Sequence, residues 1–163
     1  MRFLVLFLAI YSLLYLGYMK LPDSVLREVV YPLGIGQVCA LSINLVAPDE
    51  AVRVEGNLVG SSRAALEIVR GCDGIGTLLL VAAAVLAFPA SAAKKAMGLM
   101  LGFVVVYVIN IVRISGLYFV AAHRPDWFLP VHTYFAPTLI IVLCCVFFVL
   151  WASHVARTKP ADD

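Results

Sequence analysis

Long apolar runs separated by short polar segments dominate the chain, and they predict helices that cross a membrane. Residues 3–19 form a run of about 17 apolar residues, enough to cross a hydrocarbon core of about 30 Å when nearly perpendicular to it. Stronger runs follow at 75–88, 97–122 and 133–151. A weaker apolar segment at 30–47 is expected either in or on the outer leaflet or as a fifth span. The pattern predicts an all-α, polytopic transmembrane bundle of four or five spans.

Residues 49–70 differ from the rest of the chain because short alternating runs replace the long apolar ones. Turn signals at Gly56-Asn57 and Ser61-Ser62 interrupt these runs. This pattern predicts a small extended hairpin outside the lipid.

Composition supports a membrane protein of one domain. Of 163 residues, 63% are hydrophobic and 13% are charged, whereas soluble domains carry about 25% charged residues. We treat residues 1–163 as a single membrane-embedded domain. The first run ends in Met19-Lys20-Leu21-Pro22 without a small-residue cleavage site, so it is expected to be a retained helix. Nucleic acid is excluded as a partner, since no basic run is longer than Lys94-Lys95.

The distribution of basic residues predicts the orientation. Lysine and arginine are enriched in cytoplasmic loops, which places Lys94-Lys95, Arg157 and Lys159 in the cytoplasm. Cys72 and the loop of residues 123–132 then lie outside. If the weaker apolar segment crosses the membrane, the N-terminus lies outside. The side of Cys72 is the same in either case.

The four cysteines show none of the spacings of a disulfide framework or a metal site, and no cofactor or metal is predicted. Cys144, Cys145 and Cys39 lie among apolar neighbours and are expected to pack as small side chains. Cys72 lies in the sequence RGCDGIGTLLL, at the start of a predicted helix. The helix dipole there favours a thiolate, so Cys72 is a candidate nucleophile. The alternative is a buried thiol beside a helix start.

Arg113 lies within a predicted span, where an arginine costs at least about 2.5–3.5 kcal/mol and indicates a functional site. The alternative is a side chain that extends to the outer interface. Asn110 lies one turn earlier on the same face. Two polar groups on one face favour a lined cavity, in which the guanidinium stabilises a thiolate or an oxyanion.

His132 is a candidate general acid or base, because imidazole titrates near neutral pH. His123 begins the same outer loop and competes for this role, whereas His154 lies on the cytoplasmic side. Three charged residues near Cys72 either tune the site or are surface charges, and we favour the second interpretation: Glu67, Arg70 and Asp73.

The order of these residues resembles the exosortase/archaeosortase family: Cys72-Asp73-Gly74 at a helix start, Asn110-x-x-Arg113 in the next span and His132 before the last. The resemblance covers roughly residues 33–150. Archaeal relatives tend to have arginine at the place of His132, so the histidine indicates a compact bacterial exosortase, similar to the exosortase H type.

The resemblance implies a cysteine protease or transpeptidase of the cytoplasmic (inner) membrane, with its active site facing outward. Its partners would be exported proteins with a PEP-CTERM-like C-terminal sorting tail, membrane lipid and, in a transfer reaction, a lipid or glycan acceptor. Cys72 would be the nucleophile, Arg113 the stabiliser and His132 the acid and base, with Asn110, Asp73 and Gly74 supporting them.

Two other functions stay open at this stage. A non-enzymatic membrane subunit or small transporter component would use Asn110 and Arg113 to line a polar path, while Cys72 merely packs. Thiol redox chemistry would require Cys39 to approach Cys72.

Overall fold

The computed structural model describes residues 1–157, so Lys159, one of the residues used to predict the orientation, lies outside the described residues. The helices are α1 (Arg2–Met19), α2 (Asp23–Val46), α3 (Ile75–Ala87), α4 (Ala92–His123) and α5 (Pro125–Arg157). The strands are β1 (Arg53–Glu55), β2 (Leu58–Gly60) and β3 (Ala65–Glu67).

Within this part of the chain, α1, α2, α4 and α5 are long and apolar enough to cross a membrane. The predicted helical bundle of four or five spans with a small extended element is confirmed. Helix α3 has 13 residues, or about 20 Å at 1.5 Å per residue, and is shorter than a hydrocarbon core of about 30 Å. Helix α3 is therefore much shorter than α4, which has 32 residues.

The extended element is a three-stranded antiparallel sheet in the order β1-β2-β3. Glu55 pairs with Leu58 across the predicted turn, where Gly56 adopts a left-handed φ of 57° that favours glycine. The prediction of a hairpin is correct for β1 and β2, and β3 adds a third strand. Following the predicted orientation, we call the sheet side of the bundle the outer side.

Helix α2 lies beside the sheet at both of its ends. Arg27 near its start pairs with Glu67 at 3.4 Å, and Asn44 near its end exchanges two hydrogen bonds with the backbone of Val52. These contacts favour the predicted outer-leaflet location over a full crossing, although α2 is long enough to cross. Its central part, Leu26–Gly36, is π-helical and contains Pro32, which cannot donate a backbone hydrogen bond to the α-helical ladder.

Two hydrophobic cores hold the helices together. The outer core joins α1, α2, the sheet and the outer half of α4, and its members include Tyr18, Leu26, Tyr31, Cys39, Val59 and Tyr118. The inner core joins α3, α4 and α5, and its members are Val81, Val85, Val106, Ile140, Cys144, Trp151 and Val155. Cys39 and Cys144 are thus packing residues as predicted, whereas Cys145 is exposed.

The last helix begins earlier than the sequence pattern indicates. The residues predicted as a loop up to 132 continue from the 3-10 turn Pro125–Trp127 through Phe128–Pro130 into the π-helical turn Val131–Phe135. Pro130 is compatible with this start because a first helical turn needs no donated backbone hydrogen bond. The prediction that His132 lies in a loop is therefore wrong, since it lies on a helix.

Candidate active site

The turn that carries Cys72 requires two glycines. Gly71 and Gly74 adopt left-handed φ values of 90° and 79°. A Cβ on Gly74 would also lie 2.6 Å from Cγ of Asn110. The Cys72 backbone N–H donates to the Val69 carbonyl at 2.9 Å, which closes the turn just before α3 begins. Both glycines therefore shape the loop that presents the thiol.

Asp73 is buried, with 4% of its surface exposed, so the expectation of a surface charge is wrong. Its Oδ2 accepts hydrogen bonds from the hydroxyl of Tyr18 on α1 and, at 3.1 Å, from that of Tyr31 on α2. Its Oδ1 accepts from the backbone N–H of Ile75, the first residue of α3, at 3.1 Å. A buried carboxylate is tolerated only with such donors. The residue after Cys72 thus joins three helices.

Arg70 ties the same turn to the end of α1. Its guanidinium donates to the carbonyls of Tyr18 at 2.7 Å and Leu21 at 2.9 Å, and it pairs with Asp23 at 2.6 Å. The pKa of Arg70 is raised by the hydrogen bond to Asp23. Arg70 is therefore an anchor of the turn, whereas Glu67, paired with Arg27, is the exposed surface charge that was expected.

Asn110 and Arg113 on α4 face the Cys72 turn. The Asn110 amide donates to the Asp73 carbonyl at 2.9 Å, and Arg113 Nη1 lies 3.3 Å from the Cys72 carbonyl and 3.4 Å from Asn110 Oδ1. Arg113 thus turns toward the thiol loop, which excludes the alternative of a side chain extended to the interface. Its Nε is buried without a hydrogen-bond partner among residues 1–157.

His132 approaches the thiol from α5, with Nε2 3.8 Å from Cys72 Sγ. Its ring stacks on Phe128 at a centroid distance of 5.4 Å, which fixes the direction of the imidazole. The π-helical turn around it is a feature often found at functional sites. The rival His123 lies elsewhere, with Nδ1 3.1 Å from the Phe119 carbonyl oxygen and Nε2 3.7 Å from Glu50. The structure thus brings His132, and not His123, to Cys72.

A cavity of about 260 Å³ brings the three candidate residues together, and its lining includes Cys72, Arg113 and His132. Phe128 and Leu117 contribute apolar walls, while residues 65–69, which include β3, form another wall. Because β3 is an edge strand, one side of its backbone is not paired within the sheet. The cavity therefore combines a thiol, an imidazole and a guanidinium with a strand edge.

The site is recessed below the outer end of α4. Asn110, which contacts the turn after Cys72, precedes His123 by a rise of roughly 20 Å along the helix axis. The thiol thus lies at the start of a short helix, level with the end of α1 and below the outer end of α4.

Sequence reasoning missed the tyrosines on Asp73 and the second polar cluster around Glu50. Tyrosines near the ends of spans are ordinarily interface residues, so nothing local distinguishes Tyr18 and Tyr31. Glu50 is buried and accepts hydrogen bonds from Tyr118 at 2.6 Å and Arg63 at 2.9 Å. The Tyr118 hydrogen bond and then the Arg63 charge hold the pKa of Glu50 below its ordinary value.

Within residues 1–157, no three His, Cys, Asp or Glu side chains are grouped so that they would hold a metal ion. The imidazole can exchange a proton with the thiol, and the guanidinium can stabilise negative charge nearby.

The fold and the site define a polytopic helical membrane protein with a cysteine–histidine pair in a recessed cavity. Residues 2–151 match the family model described as transmembrane exosortase (Exosortase_EpsH), and the chain belongs to this family. Neither the curated proteins nor the solved structures gave a match.

Proposed function

We propose that this chain is a cysteine peptidase or transpeptidase that removes the PEP-CTERM-like C-terminal sorting tail of exported proteins. It would act at the outer face of the inner membrane. The observation that carries the proposal is the approach of Cys72 Sγ to His132 Nε2 at 3.8 Å, in a cavity that Arg113 also lines. Catalytic hydrogen bonds of unliganded sites are often long and shorten when substrate binds.

The reaction begins with transfer of the thiol proton from Cys72 to His132. The thiolate then forms a bond to the carbonyl carbon of the scissile peptide, and the C=O electron pair moves onto oxygen. When the tetrahedral intermediate collapses, the C–N bond breaks and His132 donates its proton to the leaving amine. The tail departs, and the exported protein remains on Cys72 as a thioester.

A second nucleophile resolves the thioester. Water gives a free carboxylate, whereas an amine on a lipid or glycan acceptor gives a new amide. In either case His132 accepts a proton from the nucleophile and returns one to the departing Cys72 thiolate. Both outcomes use the same residues.

Arg113 fits the role of oxyanion stabiliser because it lies beside the nucleophile and lines the cavity. One of its amino groups contacts the Cys72 carbonyl, and a guanidinium has five N–H donors in total. The remaining donors suit a developing negative charge in a site shielded from water. Asn110 and Asp73 act as positioning residues for the Cys72 turn.

The edge of β3 suits a peptide substrate. An extended chain can pair with the free backbone groups of an edge strand and gain register from them. Residues 65–69 line the same cavity as Cys72, so a peptide paired there passes the thiol. A polar transport path is a poorer interpretation, because the Asn110 amide is bonded to the Asp73 carbonyl.

The proposal is tested by co-expression with an exported reporter. The reporter carries the C-terminal tail of an exported protein from the same genome, with a short motif, an apolar helix and a basic cluster. We expect tail removal by the parent and by Cys145→Ala, whose residue is exposed on α5, and none by Cys72→Ala. Parental tail removal by Cys72→Ala contradicts the proposal.

A further inference from the structure

An apolar groove runs along the membrane-facing side of the bundle between α4 and α5. It encloses about 370 Å³, and its lining includes Val108, Val112 and Gly116 on α4 and Phe135, Leu139 and Leu143 on α5. Val112 and Phe135 are 66% and 64% exposed, so they would contact hydrocarbon or a molecule dissolved in it. Among the described residues, the groove is open to the surroundings of the bundle.

The groove adjoins the catalytic cavity. Arg113 and Leu117 line both of them. A molecule that fills the groove therefore lies against two side chains that also border the cavity of Cys72 and His132.

The length and lining of the groove suit a helix. From Val108 to Val120 on α4, and from Val131 to Leu143 on α5, each wall rises about 18 Å. A peptide at this depth must satisfy its backbone hydrogen bonds internally, so it must be helical. A helix of about twelve residues covers the same rise.

Gly116 has no side chain and so leaves space at the base of the groove. It is exposed on α4, and a Cβ built on it would meet no atom within 4 Å. Helices in membranes associate closely where a small residue allows their backbones to approach. Gly116 lies one turn from Val112 on the same face, so an incoming helix can contact both.

We infer that this groove binds the apolar transmembrane helix of the protein substrate, which delivers its scissile bond to Cys72. The inference rests on the proposed function and adds where the substrate lies. The helix enters laterally from the bilayer, and the extended segment preceding it continues from the outer end of the groove into the cavity.

Photo-crosslinking tests the location directly. Benzoylphenylalanine replaces Val112 in a Cys72→Ala background, which keeps the reporter tail uncleaved. The control position is Leu13 on α1, which is 72% exposed and does not line the groove. We expect a crosslink to the reporter tail from position 112 and none from position 13.

Occlusion of the groove tests its use in catalysis. Gly116→Leu places a side chain in the groove, since a Cβ at this position meets no atom within 4 Å, and we expect it to slow tail removal at least tenfold. The matched control is Gly17→Leu on α1, which also replaces an exposed helical glycine with open space around it. Gly17→Leu should retain the parental rate within about twofold.

The outcomes separate the two proposals. If position 112 labels only phospholipid, or Gly116→Leu cleaves at the parental rate, the groove does not hold the substrate helix, even when cleavage still depends on Cys72. If Gly116→Leu does not fold, the crosslink made with Gly116 intact decides alone. Cleavage that continues in Cys72→Ala contradicts the proposed function instead.

Discussion

The outer and inner halves of the bundle are held together by different interactions. Among residues 1–157, the buried polar or charged residues are Glu50, Asp73 and Asn110, and all three lie in the outer half. Each has hydrogen-bond partners from other elements. The outer half is therefore joined by polar contacts whose directions are specific, in addition to apolar packing.

The inner half depends on close fit between apolar surfaces. A Cβ on Gly98 would lie 2.5 Å from the Trp151 ring, and one on Gly102 would lie 2.9 Å from Val81. Two glycines of α4 thus let α3 and α5 approach it closely. Such packing fixes the helices in position, and the one thiol among the members of this core, Cys144, is buried.

Under the proposed function, the reacting residues lie in the outer half, whereas the inner half holds the helices in position by packing. Changes at the site in the outer half should lower the rate of tail removal, in some cases together with stability, whereas changes in the inner half should lower only the free energy of unfolding. The predictions below test that division, beginning with the largest expected effect.

His132→Ala should slow tail removal by about 10³-fold, within the range that general acid–base catalysis contributes. The measurement is the rate of reporter cleavage by purified protein at matched concentration. His123→Ala is the control, because His123 contacts Glu50 and not Cys72. Equal losses in the two variants would contradict the assignment of the proton shuttle.

Arg113→Gln should slow the same reaction by about 10²-fold, as does removal of one donor to an oxyanion. Arg124→Gln removes an exposed charge just beyond α4 and should have little effect. The cleavage rates of both variants are compared at several substrate concentrations. An Arg113→Gln defect confined to KM would indicate a role in binding instead.

Gly98→Ala should lower the free energy of unfolding by up to about 3 kcal/mol, because the new methyl overpacks the inner core against Trp151. Gly17→Ala adds the same methyl to open space and should not destabilise the protein. Thermal unfolding in detergent measures both. The cleavage rate per folded molecule should stay parental, and a large loss there would break the division between the inner half and the site.

Tyr18→Phe should cost about 1.5 kcal/mol of stability, since it removes a hydrogen bond to a buried carboxylate. The Cys72 turn loses one constraint, so the cleavage rate should also fall several-fold. Tyr15→Phe, one turn earlier on the same helix, is the matched control. A Tyr18→Phe variant with parental stability and rate would show that the network does not position the turn.

The smallest effect concerns Glu50 and pH. Its pKa in the folded protein is lowered from about 4.5 by the Tyr118 hydrogen bond and the Arg63 charge. Its contribution to stability is therefore present above pH 4.5 and is lost as the pH falls through the lowered folded pKa. The unfolding midpoint of the parent should fall more steeply than that of Glu50→Gln between pH 6 and pH 3.5. Asp49→Asn should follow the parent, and a parallel decline in Glu50→Gln would contradict this account.

Much of the candidate site could be predicted from the sequence, because its residues are chemically unusual where they occur. An arginine and an asparagine one turn apart within an apolar run stand out without a structure, and so does a cysteine between glycines at a helix start. The histidine was identified by type and side of the membrane, but its placement in a loop was wrong because Pro130 lies in the first turns of α5.

The partners of Asp73 could not be predicted. Tyr18 and Tyr31 are 55 and 42 residues away along the chain, and only helix packing brings them to the carboxylate. Which of His132 and His123 lies at the thiol could not be predicted for the same reason. Both occur on the outer side, and only the packing of α5 against α4 places His132 there.

The sequence is enough to predict a membrane protein of four or five apolar helices, the extended element and the three candidate residues of the site. These follow from local properties, namely the length of apolar runs and the cost of polar groups within them. Only the packed structure shows that Asp73 is buried, that the Cys72 turn lies below the outer end of α4, and that an apolar groove between α4 and α5 shares Arg113 with the cavity of Cys72. These features depend on how helices of unequal length pack together, and no local pattern of residues predicts that packing.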